Sequence, residues 1–283
     1  MPRIAIVTDS TCDLGPAALA ARNVTMVPLK VHFGDETVRD WIDLTPEEFY
    51  PRLRSAVQMP TTSQPTPGEF AEVYQRLADE GAEGIVSIHL SAKLSGTYES
   101  AIMAASTAPV PVRVVDSTFV SGAIAFAIDA ACAVRDADGY LDAVEKAAVE
   151  TAAKTELFFV LDTLDYLVKG GRAGRTQGMA ASVLNIKPVL QVTGGLIEPF
   201  KKSKGTNKAI REMAEHVAER SRKLGPLKII VIDAVAKNLA DELGNAIRSA
   251  GTDIAELTFA DIGSVIGTHV GPRALGVGYA PAK

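Results

Sequence analysis

Short apolar runs alternate with stretches in which apolar residues recur every three or four positions, and this alternation organises the first half of the chain. Ile4-Ala5-Ile6-Val7, Gly84-Ile85-Val86-Ser87-Ile88 and Val112-Arg113-Val114-Val115 read as buried strands of a parallel sheet covered on both faces. Each leads into a helical stretch: one opened by Pro16, one running from Thr97 through the alanines to Ala105, and one over about 119–135, with another at 139–153. Strand, then Asp-Ser, then helix occurs at Asp9-Ser10 and again at Asp116-Ser117, as repeated βα units would produce. Between these units, Val24 to Phe33 is a second apolar stretch, and Gly34-Asp35 forms the turn of a small hairpin returning through Thr37-Val38. Thr45-Pro46-Glu47-Glu48 combines a hydroxyl cap, a first-turn proline and early acids, so it starts a helix that reaches about Val57. Another helix spans Gly68 to about Asp79. Residues 60–67 carry three prolines around Thr61-Thr62-Ser63-Gln64 and cannot be helical inside.

The second half changes character. Leu157–Leu161, Pro188–Val192, Leu196–Phe200, Leu227–Ile232, Ile254–Ala260 and Leu275–Tyr279 are strand-like, and Thr193-Gly194-Gly195 marks a hairpin. Two long helices, about 206–223 and 237–250, separate some of them. The expectation is a two-domain α/β protein. Residues 1–154 would form a mostly parallel, Rossmann-like α/β domain, and residues 155–283 a domain with a largely antiparallel sheet and helices on one side. A length of 283 residues favours two domains for the same reason, since single cores stop growing near that size.

Composition narrows the function. Hydrophobic residues make up 47% of the chain and charged ones 22%, enough for a large core, while aromatics are only 6%, so that core must be aliphatic. A net charge of −5 with no basic block argues against nucleic acid as a partner. Cys12 and Cys132 are far apart and read as small buried thiols in a reducing compartment, a single disulfide being the alternative. The first apolar run is too short for a signal peptide, and the most apolar stretch, Ala123 to Val134, carries Asp129 and falls short of a membrane span. A cytoplasmic protein with at most transient membrane contact is expected.

The candidate chemistry centres on Ser95-Gly96-Thr97, where a strand gives way to a helix. Unpaired backbone N–H groups at a helix start, flanked by hydroxyls, suit an anionic head group, though a simple cap explains the same residues. Thr62 and Ser63 form a second neutral hydroxyl cluster. Arg172 follows Gly170-Gly171, and His269 lies in Gly267-Thr268-His269-Val270-Gly271-Pro272. Neither G-x-x-x-x-G-K-[ST] nor a G-x-G-x-x-G after the first strand occurs, and the four histidines lack ligand spacing, so no nucleotide cofactor and no metal are expected. Ser95 lacks the G-x-S-x-G context; an esterase or thioesterase using Ser95 with His269 as base, or a small-anion sensor, stand as alternatives.

Seven motifs in register resemble the DegV family of bacterial fatty-acid-binding proteins: T-D-S-T-x-D-L at 8–14, T-S-Q-P-T at 62–66, L-S-G-T-Y-x-S-A at 94–101, V-D-S at 115–117, L-D-T-L-D-Y-L-x-K-G-G-R at 161–172, I-K-P-V-L at 186–190 and H-x-G-P at 269–272. The resemblance implies a two-domain α/β fold burying a long-chain fatty acid, its carboxylate held by hydroxyls at the positions of Thr62 and Ser95. Ser63, Gly96 and Thr97 flank those two within the same motifs. It further implies, for some members, service as the non-catalytic, lipid-carrying subunit of a fatty acid kinase. A separate ATP-binding subunit phosphorylates the carboxylate there, for phospholipid synthesis, and the positions of Arg172 and His269 bear on that step. The chain departs from the family pattern H-x-G-P-G-A in placing Arg273 at the second glycine, where a positive φ or a close backbone approach is the usual reason for glycine. The added cation near His269 could tighten a head group, face the partner in the phosphoryl-transfer step with Arg172 and His269, or spoil the family geometry.

Overall fold

A computed structural model describes residues 4–179 and 186–282; the outer ends of the two expected domains, residues 1–3 and 283, lie outside them. The apolar runs of the first half become β1 (Ile4–Asp9), β2 (Val24–Val27), β6 (Gly84–His89) and β7 (Val112–Asp116). They pair in the order β2-β1-β6-β7, all parallel. Helices cover both faces, which is why the central strand β6 is buried at every position. They are α1 (Gly15–Ala21), α3 (Pro67–Asp79), α4 (Thr97–Ala105), α5 (Ile124–Asp136) and α6 (Leu141–Ala152). The helix expected from about 119 starts at Ile124, because Ser121–Ala123 makes a turn of 3₁₀ helix first.

The stretch from Val24 to Phe33 divides at Pro28, which interrupts the β2 ladder, and its second part joins another sheet. There β3 (Lys30–Phe33) pairs with β4 (Glu36–Arg39) across the Gly34-Asp35 turn, and with β5 (Thr61–Ser63) on its other edge. Thr62 sits opposite Val31 in that ladder. The proline-bracketed segment is therefore a short edge strand, and Pro60 and Pro65 keep it short. Helix α2 (Pro46–Ser55) carries the expected capping box between Thr45 and Glu48.

In the second half β8 (Glu156–Val160), β9 (Ile186–Thr193), β10 (Leu196–Lys204), β11 (Leu227–Asp233), β12 (Ile254–Asp261) and β13 (Leu275–Pro281) form one sheet, ordered β10-β9-β8-β13-β11-β12. Every pair is antiparallel except β11–β12. Two long helices, α8 (Thr206–Leu224) and α9 (Lys237–Ser249), lie on one face against Phe158, Val160, Val231 and Val277. Alternate residues (Leu157, Phe159, Ile230, Ile232) turn to the other face and join the largest hydrophobic cluster with Ile6, Leu29, Leu90 and Ile124 of the first half. The chain is thus an α/β protein with one parallel and one largely antiparallel sheet, a small antiparallel sheet β4-β3-β5 beside them, and a core continuous between the two large sheets. Two short helices, α7 (Asp165–Lys169) and α10 (Ser264–Val270), lie against each other beside this shared layer. Among the described residues no helix is long and apolar enough to cross a membrane.

Candidate functional site

In a parallel sheet the loops after the carboxyl ends of the strands, where strand order reverses, are the natural place for a ligand. The reversal here falls between β1 and β6. Leu90, Leu94 and Ser95 follow β6, and Val120 and Ser121 follow β7; all five line one cavity. Its opposite wall is the inner face of the second sheet (Leu157, Phe159, Ile197, Ile232) together with Ile262, Val265 and Ile266 on and before α10. Most of the lining is aliphatic. Thr62, Ser63, Gln64, Ser95, Arg172 and His269 form one polar group, tied together by Thr62–His269, Arg172–Leu94 O and the Gln64–Gly96 contact, while Ser121, the other hydroxyl of the wall, is committed to Asp13. Aliphatic walls with a few convergent polar groups are the pattern of a small-molecule site.

The hydrogen bonds in this group leave two hydroxyls free to donate. His269 Nε2 lies 2.9 Å from Thr62 Oγ1, while its Nδ1 is buried without a partner. A buried bare lone pair costs less than a buried unpaired N–H, so the proton belongs on Nε2, donated to Thr62. Burial, with Arg172 adding its charge, pushes the His269 pKa down to about 4, which keeps the ring neutral at pH 7. Thr62 then has its own O–H to spare. On the other side Ser95 Oγ lies 2.9 Å from Thr97 Oγ1. Thr97 is wholly buried, and if it donates to Ser95, the Ser95 O–H is likewise free for a ligand. Arg172 is anchored by backbone carbonyls, Nε to Leu94 O at 3.2 Å and Nη1 to Gly170 O at 2.7 Å; among the described residues no carboxylate pairs with it.

The remaining expected residues stand differently. Ser63 lines the cavity, but its hydroxyl lies 2.8 Å from His32 Nε2, since neighbours on a strand point to opposite faces. Gly96, the N-cap of α4, offers no side-chain cap; Ser95 Oγ instead accepts from Thr97 N at 3.4 Å, the first N–H of the helix, which uses a lone pair and not its own O–H. A Cβ at Gly96 would come within 2.8 Å of the Gln64 amide, so glycine there lets Gln64 lie across the head of α4. Arg273 is exposed and not among the lining residues, and it adopts φ +63°, the left-handed conformation for which glycine is suited. The backbone has kept the turn and accepted the strain.

Gln64 is a lining residue that reasoning from hydroxyls passed over, although it lies inside the T-S-Q-P-T motif. The T-D-S-T segment proves to support the site from behind. Asp9 accepts hydrogen bonds from the backbone N–H of Thr11 and of Leu90, and its carboxylate lies 3.0 Å from His89 Nδ1. His89 Nε2 lies 2.7 Å from Ser87 Oγ, which in turn accepts from Tyr74 at 2.9 Å. This Asp-His-Ser series resembles a hydrolase triad, but Asp9, His89, Ser87 and Tyr74 are all wholly buried. It fixes the start of the 90–95 loop.

That loop is held from the other half as well. Ser91 donates to Gly195 O (2.8 Å) and Lys93 to Gly194 O (2.7 Å), so the tip of the β9–β10 hairpin sits on it.

Comparison with known proteins places this geometry in company. The model of the DegV family of uncharacterised proteins matches residues 3–282. A DegV domain-containing protein of Streptomyces coelicolor is 42% identical over 274 residues, covering 97% of each chain. Among solved structures, a DegV family protein from Thermus thermophilus, described by its fatty acid binding, is 32% identical with a TM-score of 0.93, covering 99% of both chains. DegV from Bacillus subtilis, described as a fatty acid binding protein, is 31% identical with a TM-score of 0.89, again over 99% of both.

Proposed function

The chain belongs to the DegV family, and from that membership and the clustered polarity of the cavity we propose that it binds a long-chain fatty acid. The acyl tail occupies the aliphatic cavity, and the carboxylate accepts hydrogen bonds from Thr62 and Ser95. His269 orients Thr62, Thr97 orients Ser95, Gly96 leaves room for Gln64, and Ser63 supports the strand through His32. The observation that carries this reading is the gathering of the uncommitted donors in one group on an otherwise aliphatic cavity wall.

The energetics are favourable. Burying about fourteen methylenes yields roughly 11 kcal/mol before ordering costs. A carboxylate taken inside would forfeit much of this unless hydrogen-bonded, and two neutral hydroxyls supply the bonds without locking the anion to a cation. A carboxylate so held stays available to a further reagent. We therefore propose that the protein presents its fatty acid to an ATP-dependent kinase subunit, with Arg172 beside the head group to receive added negative charge; Arg273, exposed and outside the cavity lining, is placed to face that partner rather than the head group. The esterase alternative fares worse, because His269 is engaged with Thr62 rather than Ser95. The small-anion alternative leaves the aliphatic walls without a role. The expected compartment is the cytoplasm.

Protein purified from a bacterial host and extracted with solvent should carry close to one long-chain fatty acid per chain by mass spectrometry. Thr62→Ala and Ser95→Ala should each weaken retention by about tenfold, the loss of one hydrogen bond to a charged group. Delipidated protein that takes up neither palmitate nor oleate would overturn the reading.

A further inference from the structure

Helix α10 supplies His269 at its last turn and Val265 and Ile266 to the cavity wall, yet it is only seven residues long and has no side-chain cap of its own. A helix this short does not hold itself together in isolation. Its start is instead held by two carboxylates more than two hundred residues away in sequence. Asp40 Oδ1 accepts from Ser264 N at 2.8 Å, Ser264 Oγ at 2.6 Å and Val265 N at 3.4 Å. Asp13 Oδ1 accepts from Gly263 N at 2.9 Å, while its Oδ2 accepts from Ser121 at 2.5 Å. Tyr50 donates to Ile262 O at 3.0 Å, just ahead of the helix.

The fit is close along the whole length. A Cβ at Gly263 would fall 2.9 Å from Asp13 Oδ1 and 3.1 Å from Asp40 Oδ1. One at Gly267 would fall 2.6 Å from the Phe49 ring. At the far end His269 meets Thr62. Every hold on α10 just named comes from the first half of the chain. Its first-turn N–H groups point at carboxylates, the favourable arrangement for a helix dipole.

We propose that Asp40, assisted by Asp13, is a positioning residue for the head-group end of the cavity: by bracing the start of α10 it sets His269 against Thr62, and so sets the Thr62 hydroxyl toward the ligand carboxylate. This deepens the fatty-acid reading and rests on it. Neither acid lies within reach of a ligand as a direct partner in this account. The brace acts through the helix, over about one and a half turns. It also explains the burial of two acids beside an aliphatic cavity: their hydrogen bonds go to backbone N–H groups that a seven-residue helix cannot otherwise satisfy.

The test compares two ligands of equal chain length in one variant. Asp40→Ala should lower affinity for palmitate by tenfold or more and for hexadecanol by less than threefold, because only the carboxylate depends on a well-aimed Thr62. An equal loss for both ligands, or none for either, would overturn the proposal. A second measurement needs no ligand: in the NMR titration of the delipidated protein, the His269 midpoint should rise from about 4 toward the ordinary value in Asp40→Ala, as the ring leaves its buried seat. An unmoved midpoint would again overturn it. Should Asp40→Ala fail to fold, Ser264→Ala removes one donor to the same carboxylate, and a palmitate-selective loss of about threefold is expected. Wild-type protein that binds no fatty acid would defeat the underlying reading instead, and the His269 titration would still decide the brace.

Discussion

Arg273 shows how a single residue can be out of place without disturbing what surrounds it. Its φ of +63° carries a steric penalty of about 1–2 kcal/mol for a side chain with a Cβ, while its backbone N–H still donates to Ala234 O at 2.8 Å. Arg273→Gly should therefore stabilise the protein by up to about 1 kcal/mol, after allowing for the greater freedom of glycine in the unfolded chain. Thermal unfolding would register this as a rise of about 2–4 °C, and an unchanged or lowered midpoint would show that the side chain makes a compensating contact. Gly170 is the converse case. A Cβ there would lie 2.3 Å from His269 Nδ1, so the first glycine of G-G-R is required by a histidine ninety-nine positions later. The sequence displays both residues, but it does not display that they touch.

At the scale of elements, most of the strands and helices were legible because their signals are local. Short apolar runs rich in Ile and Val mark β1 and β6, a Thr-Pro-Glu-Glu start marks α2, and Gly194-Gly195 marks the hairpin. Two elements escaped for a physical reason. β5 is polar and flanked by proline, and exists only because β3 offers it an open edge. The segment Ser264-Val265-Ile266-Gly267-Thr268-His269-Val270 is rich in β-branched residues and has a glycine at its middle, so its composition speaks for a strand. Tertiary hydrogen bonds from Asp40 and packing on Phe49 override that preference. The hydroxyls of the candidate site were legible as motifs. The partners that aim them required the fold: His89 behind the loop, and the hydrogen bond by which Thr97, itself read as a site hydroxyl, meets Ser95.

The hairpin tip is also an element with a consequence of its own. Gly195 has φ +81°, and a Cβ on it would fall 2.6 Å from Ser91 Oγ. Gly195→Ala should lift the tip from the 90–95 loop and carry Ile197 away from the cavity, so displacement of a fluorescent fatty acid in a stopped-flow experiment should be several-fold faster. Ser91→Ala deletes the hydrogen bond to the tip, about 1 kcal/mol, and the one the hydroxyl accepts from Lys93 N within the loop, without pushing the tip away, and should give a smaller increase. Equal release rates in all three proteins would contradict this.

Across the whole molecule, two buried groups at opposite ends of α10 titrate in opposite senses. Burial raises Asp40 from 3.8 to about 6, so the native state keeps a proton the unfolded chain has released. Its contribution to stability is full below the unfolded value and is lost as pH rises through 6. His269 is lowered from 6.5 to about 4, so its contribution is full above the unfolded value and is lost as pH falls through 4. Each displacement amounts to about 3 kcal/mol, and over pH 4–6.5 they largely offset, with Asp13, also raised by burial, adding to the falling side. Removing one partner should expose the other. In urea unfolding the stability of Asp40→Asn should fall less steeply with pH across this window than that of the unaltered protein, and that of His269→Gln more steeply; slopes unchanged in both variants would refute the assignment.

The cavity lies in the very layer where the two sheets share their core. Aliphatic hollows of this kind stay dry when vacant, and their lining side chains lose the contacts an occupant would give them. Cargo and mortar are then the same substance. A loaded molecule should melt at a higher temperature than an unloaded one, and the gap should widen with acyl length. On the reading proposed above, removing the fatty acid would loosen the joint between the halves, which would make delivery a mechanical event as well as a chemical one.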